Sequence, residues 1–172
     1  AEVVMVGTGG SVLRGAGGLV TPETSGTLQD LLDVAPVGAG AVAVGVGGKI
    51  LRRSGIAWTS ETSGTSQTLR GVAPGTTETY AVGDAGTVLA SSGSTWKVVS
   101  DALFGTKTLA TVGSLLGSTY IGAQQSEIFR QGTRIDDVVK RLVHFLAIDG
   151  PPAVRQDLTR QRQPHRHQHR RP

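Results

Sequence analysis

The chain has no cysteine among its 172 residues. Disulfide staples, thiolate metal sites and a cysteine nucleophile are therefore excluded, while the redox compartment stays open. Apolar runs approaching 18 residues are also missing, so no membrane-spanning helix is expected. No charged segment followed by an apolar core opens the chain, and a secretory signal is expected to be absent or already removed. Between residues 1 and 121 no i, i+3, i+4 apolar spacing extends over ten residues, which argues against paired-helix repeats. Histidine is confined to the C-terminal tail apart from His144, and no G-x-S-x-G elbow occurs, so the many hydroxyls lack a general base. His144 lies in an apolar run and reads as a packed side chain. Aromatics make up only 4% of the residues.

What the chain has in quantity is glycine, 25 residues, at repeated places. GTGGSVLR at residues 7–14 returns as GVGGKILR at 45–52, as GDAGTVLA at 83–90 and, degenerately, as GAQQSEIF at 122–129. The steps are 38, 38 and 39 residues. Ser25-Gly26-Thr27 returns as Ser63-Gly64-Thr65, Val34-Ala35-Pro36 as Val72-Ala73-Pro74, and Trp58 as Trp96. Internal repetition at this period marks a stacked architecture.

The second full copy, residues 69–96 with a short continuation, contains four short apolar runs separated by Pro-Gly, Asp-Ala-Gly and Ser-Gly-Ser. Such runs are strands joined by tight turns. Its strands are expected at 69–73, 79–83, 87–91 and 95–99. Runs such as Ala41-Val42-Ala43-Val44 do not alternate apolar with polar, as befits a sheet covered on both faces. The Gly-Thr-Gly-Gly at residues 7–10 resembles a phosphate loop only superficially, since it lacks the lysine and the helix, and it reads as a hairpin turn. The expected fold is all-β: a β-propeller of about four four-stranded blades, closed or part of a larger ring, over residues 1–150. The chain enters mid-blade, at a second strand. Strands at 119–122 and 126–129 are expected in the degenerate unit, with 135–139 as its fourth. Residues 136–148 fit either an amphipathic helix or, at VHFLAI (143–148), the strand that completes the opening blade.

Residues 151–172 form a second segment. From 153 onward it holds six arginines and one aspartate, whereas the rest of the chain is close to neutral. With almost no apolar side chains it is expected to be a disordered basic tail. It suits non-specific contact with a polyanion, without aromatics to stack bases. His165, His167 and His169 alternate with cations that repel a dication, so no metal site is expected.

The pattern L-x-G-V-A…Y-A-V-G-D-x-G-T-V-L…T-W resembles the repeats of BNR or Asp-box β-propellers, and within them the photosystem II assembly and stability factor group. The resemblance spans residues 3–129 and is strongest over 41–99. The Asp-box form S-x-D-x-G-x-T-W is shortened here to Ser54-Gly55-Ile56-Ala57-Trp58 and Ser92-Gly93-Ser94-Thr95-Trp96, without the aspartate. In the first unit Val20 replaces the tryptophan. The resemblance implies a propeller whose Trp-bearing strand is outermost, in a secreted or periplasmic bacterial protein. It implies a non-catalytic binding or assembly scaffold with no cofactor, whose partner is a protein or, second, a glycan. A sialidase-like glycan hydrolase is the alternative, and no arginine triad with a tyrosine and a glutamate can be picked out for it. A fragment of a larger propeller, and pairing with another copy, are also compatible. Arg14, Arg52, Arg53 and Arg70 are the candidate docking residues, and the two tryptophans are assigned to packing between blades.

Overall fold

The computed structural model describes residues 2–100, 102, 104–115, 118–124, 127–130 and 133–134. The expectations for a strand at 135–139, for residues 136–148 and for the tail lie outside them. Among the described residues the chain is all β-strand and turn, with no α-helix and no helix long and apolar enough to cross a membrane.

The strands are β1 (Glu2–Val6), β2 (Val12–Ala16), β3 (Leu19–Glu23), β4 (Leu31–Val37), β5 (Gly40–Gly45), β6 (Ile50–Ser54), β7 (Ala57–Glu61) and β8 (Leu69–Pro74). They continue with β9 (Thr79–Gly83), β10 (Val88–Ser91), β11 (Trp96–Val98), β12 (Leu109–Leu115), β13 (Ser118–Ala123), β14 (Glu127–Arg130) and β15 (Thr133–Arg134). They form four antiparallel meanders in chain order: β1-β2-β3, β4-β5-β6-β7, β8-β9-β10-β11 and β12-β13-β14-β15. Among the described residues the first sheet thus has three strands, with no counterpart of β4, β8 and β12.

Each glycine quartet makes the turn between the second and third strands of its unit. The turns Thr8–Gly10, Val46–Gly48 and Asp84–Gly86 are single 3-10 turns whose last two residues have positive φ. A Cβ on Gly10 would strike the carbonyl of Thr27, and one on Gly48 that of Thr65. The closing glycine of the motif is therefore required twice over, by conformation and by space.

Three apolar clusters join consecutive sheets. Val4, Val6 and Val12 of the first sheet pack on Ala41, Ala43, Leu51 and Trp58 of the second. The other face of the second, through Val42, Val44 and Ile50, meets Ala81, Leu89 and Trp96 of the third. Val82 and Val88 then meet Leu109, Ile121 and Phe129 of the fourth. Because successive strand residues point to opposite faces, a sheet covered on both sides needs apolar residues throughout, which is why the middle strands do not alternate. Both tryptophans fill the space between sheets. At the third junction, where tryptophan is absent, Phe104 and Phe129 meet edge to face with centroids 5.1 Å apart.

One expectation is corrected here. The last repeat step is 40 residues and not 39, for Leu69 pairs with Gly83 as Leu109 pairs with Ala123. The observed strands Ser118–Ala123 and Glu127–Arg130 follow that register. A slip of one residue exchanges the two faces of a strand, and the longer step is what turns Ile121 and Phe129 toward the third sheet.

Candidate functional site

Three of the four arginines singled out from the sequence, Arg14, Arg52 and Arg53, lie where one sheet is laid against the next. Arg53, on β6, is nearly enclosed. Its Nη2 lies 2.6 Å from Glu23 Oε1, its Nε donates to Glu23 Oε2 at 2.9 Å, and its Nη1 donates to Glu2 Oε1 at 2.6 Å. Trp58 on β7 donates its indole N–H to Glu23 Oε2 at 2.7 Å. Arg14 on β2 adds a bond to Glu2 Oε2 at 3.1 Å and lies 3.6 Å from Glu23. Two arginines and an indole of neighbouring elements thus converge on two glutamates.

A smaller version recurs one junction later. Arg52, the repeat counterpart of Arg14, pairs with Glu61 through Nε at 2.5 Å and Nη2 at 3.2 Å. Trp96 donates to Glu61 Oε2 at 2.7 Å. The counterpart of Arg53 is Ser91, which is buried and turns its hydroxyl to Gly93 O. At the third junction the glutamate is replaced by Val99, and no tryptophan follows.

Arg70, on β8, sits apart from these clasps at the turn end of its sheet, where its Nε and Nη2 donate to both carboxylate oxygens of Asp84 at 2.6 and 3.0 Å. The four candidate arginines are therefore distributed over three ion-paired clusters. Arg14 and Arg53 share one, and Arg52 and Arg70 occupy one each.

These contacts set the protonation states. Hydrogen bonds from Arg14 and then Arg53 hold the Glu2 carboxyl below its ordinary value. Arg53, outweighing burial, does the same for Glu23, and Arg70 for Asp84. Arg53 and Arg70 are held further in the cationic form by the same carboxylates. Such groups carry fixed charge at neutral pH and serve as clamps. They are poor proton-transfer groups there, because transfer works best from a pKa near ambient pH.

Sequence reasoning passed over the glutamates. The signal was present: Glu23 precedes Trp58 by 35 residues, and Glu61 precedes Trp96 by the same 35. Asp33 was missed as well. Its carboxylate accepts the Val34 N–H at 2.9 Å and, from the next sheet, the Val72 N–H at 2.8 Å.

Two clefts border the first junction. One, of about 600 Å³, is lined by Arg14, Glu23, Ile56 and Trp58 on the outer side. The other, of about 290 Å³, runs between β1 and β4, with Arg53 at one end. Neither holds three or more metal-ligating side chains, and no such group occurs among the described residues.

The remaining feature is apolar. Cross-strand partners share a face, so the register Val3–Gly15–Val20 and Met5–Leu13–Pro22 defines the side of the first sheet turned away from the second. Val3 is 58% exposed, Met5 41%, Leu13 40% and Val20 61%. Their repeat counterparts Ala43, Leu51 and Trp58, and likewise Ala81, Leu89 and Trp96, are buried against the preceding sheet. Comparison with protein-family models, curated proteins and solved structures finds no match.

Proposed function

We propose that this chain is a non-catalytic binding scaffold of the β-propeller type, its four meanders serving as blades and its partner a protein. The observation that carries the reading is the uncovered apolar face of the first sheet, Val3, Met5, Leu13 and Val20. Contiguous exposed apolar surface on a folded chain marks an interaction site. The charged residues add support from the other direction. Arg14, Arg52, Arg53 and Arg70 are engaged by carboxylates of this chain and hold sheets or turns in place. A partner would meet the apolar face, with the ion pairs keeping that face rigid.

The resemblance to the assembly-factor propellers agrees with a scaffold. A glycan ligand is the lesser option, because stacking on a sugar calls for an exposed aromatic face and Trp58 and Trp96 are buried between sheets. The test is site-specific photo-crosslinking in the source organism, with a diazirine side chain at Leu13 and, as control, at Thr59 on the outer strand of the second sheet. A discrete crosslinked protein band at position 13 and none at 59 is the expected result. Equal labelling at both positions would count against a docking face, and turnover of a fluorogenic sialoside by the purified chain would replace the scaffold with the hydrolase.

A further inference from the structure

We draw no further inference here: the strongest candidate, the outer cleft between the first and second sheets lined by Arg14, Glu23, Ile56 and Trp58, carries nothing, because Arg14 and Glu23 are paired within the chain and nothing in the structure shows what covers the cleft.

Discussion

At the scale of single residues, Arg53 is the side chain on which the first junction turns. It is buried with the carboxylate of Glu23 and also reaches the exposed Glu2, and removing one member of a buried, hydrogen-bonded charge pair leaves the other desolvated without compensation. Arg53→Met is expected to cost about 3 kcal/mol in urea unfolding. Trp58→Phe keeps most of the buried ring and loses one hydrogen bond to a carboxylate, so about 1.5 kcal/mol is expected. The same cluster sets an acid response. Glu2, Glu23 and Asp84 have folded-state pKa values below their unfolded ones, so their contribution is fully present above the unfolded values, near 4.5 for the glutamates. It is lost as pH falls through the lower folded-state values. The melting temperature is expected to hold from neutral pH to about 5 and then fall. In Arg53→Met the fall should be shallower, because the main cause of the Glu23 depression is gone; an unchanged slope would show that the junction does not rest on this pair.

At the scale of elements, the turns separate two reasons for glycine. Gly48 has φ +72° and faces the Thr65 carbonyl, whereas Gly55, at the tip of the β6–β7 hairpin, has φ +61° and open space around it. Gly55→Ala meets only the left-handed backbone cost of about 1 kcal/mol. Gly48→Ala adds a steric clash with backbone that cannot rotate away, and is expected to lose clearly more stability than Gly55→Ala in the same denaturation series. Equal losses would mean that the turn yields, and that the ladder from Gly48 to the Ser63–Thr65 loop is soft. The inner strands show a second regularity. β4, β8 and β12 each carry a register shift after their first leucine, at Leu31/Asp33, Leu69/Gly71 and Leu109/Thr111. Bulges in equivalent places bend these strands alike and are features of the repeat.

At the scale of the whole molecule, the sheets are joined by the same kind of face three times, and the first sheet still presents one such face to solvent. Its tryptophan position is Val20 and its Arg53 position is Gly15. The polar clasp has therefore been removed while the apolar surface stays. Met5→Lys combined with Leu13→Glu is expected to leave the melting temperature within a few degrees, since exposed positions typically change stability by about 0.5 kcal/mol or less. The same pair should remove most of the fluorescence enhancement of an apolar dye such as bis-ANS. A large loss of stability would instead show that the face is buried in solution.

Much of this was legible in order along the chain. The 38-residue step, the four runs per unit, the turn glycines and the packing role of Trp58 and Trp96 are local or repeated properties, and repetition multiplies a weak local signal until it is unambiguous. What the tertiary structure alone decided are relations between units. The last step of 40 residues could not be read from a degenerate copy in which Gln124 follows Ala123 where Asp84 follows Gly83, because only backbone pairing distinguishes a one-residue slip. The four arginines were candidate docking residues on charge alone, since a sequence shows charge without its partner. Folding set Arg53 against Glu23, 30 residues away, and Arg52 against Glu61 across a hairpin. Hydrophobic pattern and turn chemistry act over a few residues and are written in the sequence, while charge pairing and the covering of a face depend on which sheet comes to lie beside which.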